Sequence, residues 1–156
     1  MILTTHILAG AVLGANIQNP YAVAGLAVAV HFALDLFPHG DYLDKKSSFK
    51  EFWKVAVDLA IGLGTVAAIL FCRDGALTAN LQNIAIGIFF SLLPDGTTFL
   101  CWKMGVKFLK PIYNFHQKLH LIHYPDFAPE RRFKLKNNLW DIFISLVSVI
   151  TLLSLR

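Results

Sequence analysis

The chain has 156 residues, of which 56% are hydrophobic and only 15% charged, whereas soluble domains average about 45–50% and about 25%. This composition argues against an ordinary soluble domain and predicts one integral membrane domain over residues 1–156, with lipid as its main solvent. In a membrane protein, a net charge of +4 indicates how the chain is oriented and an attraction to anionic lipid, in preference to nucleic-acid binding.

Seven helices are predicted from the apolar runs and the turn signals between them. The first run contains Gly10 and Gly14, which favour close helix packing, and opens with Thr4 and Thr5, which are predicted to cap it. Five runs are apolar enough for spans, and the two between residues 97 and 123 are short interfacial helices. The sequence therefore predicts an all-α polytopic membrane bundle. In chain order the predicted helices are residues 2–17, 21–37, 49–72, 77–93, 97–109, 111–123 and 139–155.

The stretch H-F-A-L-D-L-F-P-H-G-D at residues 31–41 carries the strongest chemical signal. His31 and Asp35 are four residues apart and share one face of a helix. Pro38 disfavours helix at the preceding residue, so His39 and Asp41 should follow the helix end. Imidazole and carboxylate groups in this arrangement suit a divalent metal site. The structural alternative is a histidine paired with a buried aspartate.

Two further sets of histidines are candidate ligands. His116 and His120 have the i, i+4 spacing by which two imidazoles reach one metal ion. The alternative is a solvated amphipathic helix with incidental histidines. His6, near the start of the first helix, is a weaker candidate, and His123 lies at a predicted helix end.

Aspartates in or beside apolar segments need a partner or a bound cation. Asp58 and Asp95 are the candidate catalytic carboxylates, acting as general base or orienting a ligand histidine. The alternatives are an ion pair of Asp58 with Lys54 and an ordinary Pro-Asp-Gly turn at Asp95. Asp141 is also explained as a helix-start residue that complements the helix dipole.

The alternation of five spans brings these polar groups to one end of the bundle. The opposite end holds the turns at residues 16–20 and 73–75 and the C-terminal Arg156. Of the fourteen Lys and Arg residues, only Arg73 and Arg156 lie opposite the histidines. The positive-inside rule then predicts that the N-terminus and the histidines face the cytoplasm.

Several motifs together resemble a known family. T-H-I-L-A-G-A-V-L-G at residues 5–14, the stretch at residues 31–41, L-L-P-D at residues 92–95 and F-H-Q-K-L-H at residues 115–120 are similar to motifs of the bacterial inner-membrane metal-dependent hydrolases. The H-x-x-x-D followed by P-H also resembles the metal-binding helix of zinc-dependent phospholipase C. The first resemblance implies a His/Asp metal site in the inner membrane, and the second implies phosphoester hydrolysis at zinc. The residues that the resemblance carries over as ligands or near neighbours are His6, His31, Asp35, His39, Asp95, His116 and His120.

The leading hypothesis is a metal-dependent hydrolase at the cytoplasmic face of the membrane. Zinc is the first choice for a mixed imidazole and carboxylate set, with manganese or iron as alternatives. The expected substrate is a phospholipid-like or isoprenoid phosphate that enters from the leaflet, and no nucleic-acid partner is expected. Two non-catalytic alternatives stay open: a His/Asp cluster that binds an ion for structure or transport, and a scaffold that recruits a partner through the basic segment at residues 131–136.

Overall fold

The computed structural model describes residues 1–43, 47–72, 80–121 and 133–155. Within these ranges the regular elements are all helical, as predicted. The predicted turn at residues 73–75, His123, Arg131, Arg132 and Arg156 lie outside the described residues. The helices are α1 (Leu3–Asn16), α2 (Pro20–Asp35), α3 (Trp53–Phe71), α4 (Leu81–Lys103), α5 (Lys110–Leu121) and α6 (Leu139–Ser154), with 3₁₀ turns at Phe49–Phe52, Lys107–Leu109 and Leu135–Asn137.

Helix α1 is the centre of the bundle and packs against α2, α3, α4 and α6. Its closest neighbour is α4, because glycines stand where the two backbones cross. A Cβ atom at Gly10 would meet the Gly87 carbonyl, and one at Gly14 would meet the Asn83 carbonyl. The predicted role of Gly10 and Gly14 in close packing is therefore confirmed, although the partner is α4 more than α2. Small residues allow this approach without a hydrophobic driving force between helices.

Among the described residues, two helices are long and apolar enough to cross a membrane, Phe49–Phe71 and Leu81–Lys103. Only 22% of the apolar window of each is buried inside the protein, so most of that apolar surface faces outward. The other predicted spans are shorter than expected. Helix α1 has 14 residues, which at 1.5 Å per residue gives about 21 Å, less than the roughly 30 Å of a bilayer core. Length alone therefore does not establish five spans.

The fourth helix passes through the position where the sequence predicts its end. Pro94 lies inside α4, which continues to Lys103, so the predicted break at residues 94–96 and the separate helix at residues 97–109 are wrong. Proline removes the backbone donor that would bond to the carbonyl four residues earlier. The Thr97 hydroxyl donates to the Pro94 carbonyl over 2.8 Å. The chain turns after α4 at Gly105, whose φ of 70° favours glycine.

Helix α2 begins and ends close to the predicted residues. The Asn19 side chain accepts hydrogen bonds from the backbone N–H groups of Tyr21 and Ala22, at 3.0 and 3.3 Å, and Pro20 occupies the first turn. Both features are favoured at helix N-termini. The helix ends at Asp35, which places His39 in the following loop.

Candidate metal centre

Seven predicted residues come together at one end of the bundle. They come from four helices and one loop. The groups close enough to share an ion are His6, His31 and Asp95; His31, Asp35 and His116; and Asp35, His39 and His120. In each set the candidate ligand atoms lie within 4.8 Å of one another. Two of the predicted carboxylates, Asp58 and Asp141, lie in a separate cluster around the start of α1.

Asp35 lies at the centre of the cluster that these seven residues form. Its side chain is 1% exposed, and its Oδ2 atom lies 3.0 Å from Nε2 of His31 and 2.8 Å from Nε2 of His116. Nε2 of His120 lies 3.5 Å from the same oxygen, and Nε2 of His6 lies 3.3 Å from Oδ1. Four imidazole rings therefore turn the same nitrogen toward one buried carboxylate.

The outer ring nitrogens fix which inner nitrogens carry a proton. Nδ1 of His31 lies 2.7 Å from the Ser91 carbonyl, and Nδ1 of His39 lies 2.7 Å from the Phe37 carbonyl. A carbonyl only accepts, so each Nδ1 must donate. In a neutral ring the Nε2 atom then holds a lone pair. The lone pair of His31 points at the Asp35 carboxylate, an arrangement that needs a proton or a cation between the two acceptors.

The histidines of α5 continue this hydrogen-bond network. Nε2 of His39 lies 3.1 Å from Nδ1 of His120, so the His120 Nδ1 is the donor when His39 is neutral. Nε2 of His120 then presents a lone pair, 3.0 Å from Nε2 of His116. Nδ1 of His116 is held at 2.8 Å by the Thr98 hydroxyl. Outer hydrogen bonds that orient an imidazole and fix its tautomer are typical of metal-ligating histidines.

Burial keeps two of these rings neutral. It lowers the pKa of His39, and the positive charge of the Met1 amine lowers it further. The pKa of His120 falls well below its usual value for the same two reasons. Neutral imidazole is the form that binds a metal ion. The Nε2 lone pair inferred for His120 is therefore available at neutral pH.

His6 supplies an independent sign that the cluster is incomplete. The ring is fully buried and stacks on His31 with a centroid distance of 4.1 Å. Within the described part of the chain neither of its nitrogens has a partner in hydrogen-bond geometry, although Nε2 lies 3.3 Å from Oδ1 of Asp35. Buried polar groups are rarely left without a partner. A divalent ion among His6, His31 and Asp95 fits this donor set, since imidazole and carboxylate together suit zinc, manganese or iron.

A buried positive charge already lies beside Asp35. The Met1 amine is 3.2 Å from Asp35 Oδ1 and 3.7 Å from Asp41 Oδ1. Burial opposes its ionisation, but the charges of Asp35, Asp41 and other carboxylates outweigh burial and raise its pKa to about 10. The sequence reasoning missed this group, and it also missed Thr98 and the Ser91 carbonyl. Every residue has a backbone carbonyl, so the sequence does not indicate which one will contact a histidine.

Asp58 has the contacts of a helix cap. It accepts hydrogen bonds from the backbone N–H of Leu3 at 2.6 Å and of Thr4 at 3.1 Å, and from the Tyr42 hydroxyl at 2.9 Å. The alternative of an ion pair with Lys54 is wrong, because the Lys54 ammonium lies 3.1 Å from Glu51. A catalytic role for Asp58 stays a prediction that none of these contacts supports.

Asp141 holds the start of α1 from the other side. It accepts from the backbone N–H of Ile2 at 2.9 Å, the Thr5 hydroxyl at 3.2 Å and the Asn138 amide at 3.0 Å. It also lies in the first turn of α6, as expected for a residue that complements the dipole of its own helix. The prediction that Thr4 and Thr5 cap α1 is wrong, because both lie inside the helix and their hydroxyls bond to these aspartates.

Asp95 remains beside the metal centre. It belongs to α4, so the alternative of a Pro-Asp-Gly turn is wrong. Its Oδ1 atom lies 3.8 Å from Nε2 of His116, and its side chain is 30% exposed. Asp95 also lines a cavity together with His116 and His120. A partly exposed carboxylate next to the candidate ligands has the position that a general base needs.

Comparison with known proteins gives no relative: no family model, no curated protein and no solved structure matches the chain.

Proposed function

We propose that this chain is a membrane-embedded hydrolase that uses a divalent metal ion to cleave phosphoesters. One observation carries the proposal. Nε2 of His31 holds a lone pair in the neutral ring and faces Nε2 of His116 and the Asp35 carboxylate, while the Ser91 carbonyl holds its Nδ1 from outside. A bound cation would satisfy these acceptors together, as in metal sites whose histidines are oriented by outer hydrogen bonds.

The role proposed for each residue follows from its position in the cluster. Asp35, His31 and His116 would hold the principal ion, with His39 and His120 or His6 completing the centre. A divalent ion held there would lower the pKa of a coordinated water towards about 7 and so supply hydroxide at neutral pH. Asp95, at the exposed edge of the cluster, would accept the proton. Zinc is the first choice for this mixed ligand set, ahead of manganese and iron.

The proposed setting is the bacterial inner membrane, with five spans and the metal centre at the cytoplasmic side. The two long apolar helices support a membrane location. Most of the chain's Lys and Arg residues fall on the histidine side of the predicted topology, which supports a cytoplasmic centre by the positive-inside rule. A cysteine-labelling experiment that places the N-terminus outside the cytoplasm would reject this orientation.

The decisive experiment measures bound metal and hydrolysis on the same purified samples. Wild type, His120→Ala and a His31→Ala/Asp35→Ala double variant are purified in detergent without chelators and analysed by mass spectrometry for metals. Gln117→Ala is the matched control, since Gln117 lies on α5 and lines the same cavity. Stoichiometric metal in wild type and control, lost in the other variants together with hydrolysis of bis-p-nitrophenyl phosphate, is expected. Wild type that neither carries nor takes up metal would refute the proposal.

A structural ion is the second candidate, and the architecture gives a specific reason for it. The candidate ligands join α1, α2, α4 and α5, and Asp35 is almost completely buried. An ion there would tie four helices together whether or not it performed chemistry. Bound metal without phosphoester hydrolysis, combined with unfolding on chelation, would favour this function.

A further inference from the structure

The cluster around Asp35 contains more candidate ligands than one metal ion uses. A tetrahedral ion takes four ligands, and in catalytic sites the protein supplies only three of them. Seven residues of this cluster fall into three sets of candidate ligands, and the two outer sets have no residue in common. These outer sets are His6 with His31 and Asp95, and Asp35 with His39 and His120.

The first end of the cluster has three imidazoles. His6 stacks on His31 with a centroid distance of 4.1 Å, and Nε2 of His31 lies 3.3 Å from Nε2 of His116. His6 is fully buried, and within the described residues its nitrogens have no partner in hydrogen-bond geometry. Together with Asp35, these imidazoles are sufficient to hold the principal ion.

The opposite end has imidazoles of its own. Nε2 of His39 lies 3.1 Å from Nδ1 of His120, and Nε2 of His120 lies 3.5 Å from Oδ2 of Asp35. Two imidazoles and a carboxylate are three protein ligands, the number typical of a catalytic zinc site. Asp41 adds a second negative charge there, with its Oδ1 atom 3.6 Å from Nε2 of His39. This end therefore has the ligands for an ion without any contribution from His6 or His31.

Asp35 lies between the two ends and contacts both. Its Oδ1 atom lies 3.3 Å from Nε2 of His6, and its Oδ2 atom lies 2.8 Å from Nε2 of His116 and 3.5 Å from Nε2 of His120. An ionised carboxylate offers two oxygens with about four lone-pair sites. One carboxylate at this position can therefore bind two ions at once.

We infer that this centre holds two divalent ions bridged by Asp35. The inference rests on the proposed function for the presence of a metal centre, and it adds the number of ions and the division of the ligands between them. The principal ion is held with His6, His31 and His116, and the second ion with His39 and His120.

A titration with Mn²⁺ tests this inference without relying on activity. Protein purified in detergent and freed of metal is titrated with Mn²⁺, bound ions are counted by mass spectrometry, and low-temperature electron paramagnetic resonance detects spin coupling between them. His39→Ala is the test variant, because His120 also lies 3.0 Å from His116, a ligand of the principal ion. Gln117→Ala is the matched control on α5.

At saturation we expect two Mn²⁺ ions per chain in wild type and in Gln117→Ala. Their spectrum should be that of a coupled pair, because the ions of two-metal sites lie only about 3.5–4 Å apart. His39→Ala should bind one ion and give the spectrum of isolated Mn²⁺. One ion or none in saturated wild type, two ions without coupling, or His39→Ala that binds as much as wild type would overturn the inference.

Hydrolysis of bis-p-nitrophenyl phosphate by the same samples separates the two proposals. Hydrolysis by wild type that holds one ion rejects the second ion and retains the proposed function. A coupled pair of ions without hydrolysis retains the inference and rejects the hydrolase.

Discussion

Two clusters of buried polar groups lie at the same end of this bundle, and they differ in how completely their hydrogen bonds are satisfied. Around Asp58 and Asp141, each acceptor faces a donor from the start of α1, from Tyr42 or from Asn138. Around Asp35, ring nitrogens face one another and the carboxylate, and within the described residues the nitrogens of His6 have no partner in hydrogen-bond geometry.

This difference distinguishes a cluster whose contacts are structural from one that could hold a metal ion. A complete network holds elements in place, because each buried polar group has recovered the hydrogen bond that it lost with water. An incomplete network is costly and needs a reason, such as an ion that binds there. The Asp58 and Asp141 cluster fixes the first turn of α1, which in turn carries His6 to the metal centre. The stability of the Asp35 cluster should therefore respond to chelators, and that of the Asp58 and Asp141 cluster should not.

Removal of the Asp58 carboxylate should have the largest effect. Asp58→Ala leaves the backbone N–H groups of Leu3 and Thr4 and the Tyr42 hydroxyl without their acceptor. We expect a loss of about 3 kcal/mol or more in the free energy of unfolding, since each unsatisfied group costs about 1–3 kcal/mol. Denaturation in detergent, with and without chelator, measures this loss. Asp58→Asn, which keeps one acceptor oxygen, should lose less, and a loss confined to metal-loaded protein would contradict the structural role.

In contrast to Asp58→Ala, His120→Ala is expected to reduce stability only when metal is bound. The side chain of His120 is 10% exposed. Metal at 100 times its dissociation constant should stabilise the wild type by about 2.7 kcal/mol. His120→Ala should lose most of this gain and differ little from wild type in chelator. Thermal unfolding across a metal titration measures both conditions, with Gln117→Ala as the control. Equal destabilisation with and without metal would place His120 in the same structural class as Asp58.

Substitution of Thr98 tests whether hydrogen bonds to the outer ring nitrogens affect the affinity for metal. Thr98→Val removes the partner of His116 Nδ1 at 2.8 Å and nearly preserves the shape of the side chain. Loss of such a partner typically lowers metal affinity by about 10- to 100-fold. A competition titration against a metal-binding dye measures the affinity. Thr97→Val is the control, because the Thr97 hydroxyl bonds to the Pro94 carbonyl; equal losses in both variants would argue against a role specific to His116.

The sequence predicts the close pairs of the metal centre because their spacing is local. His31 and Asp35 lie four residues apart on α2, as do His116 and His120 on α5, and each pair is in contact. A helix places such residues on one face whatever the rest of the fold does. The alternation of helix direction then brings the pairs to the same end, which also needs no knowledge of packing.

The sequence does not predict the features that depend on tertiary contacts. Asp58 lies 55 residues from the Leu3 amide that it accepts from, and no spacing rule connects them. Pro94 is a strong signal for a helix end, yet α4 continues to Lys103. The same limit applies to the cavity, since its walls come from helices whose relative placement follows from their separate contacts with α1.

The smallest effect is expected at Tyr42, which lies beside both clusters. Burial and the negative charge of Asp58 raise the pKa of Tyr42, so the phenol stays protonated and donates to Asp58 over 2.9 Å. Tyr42→Phe should cost about 1 kcal/mol in the free energy of unfolding, the usual value for one hydrogen bond. The same loss should appear with metal and with chelator, because the hydroxyl belongs to the cap of α1. A change in metal affinity, measured by the same dye titration with Tyr113→Phe as control, would show instead that the two clusters act as one network.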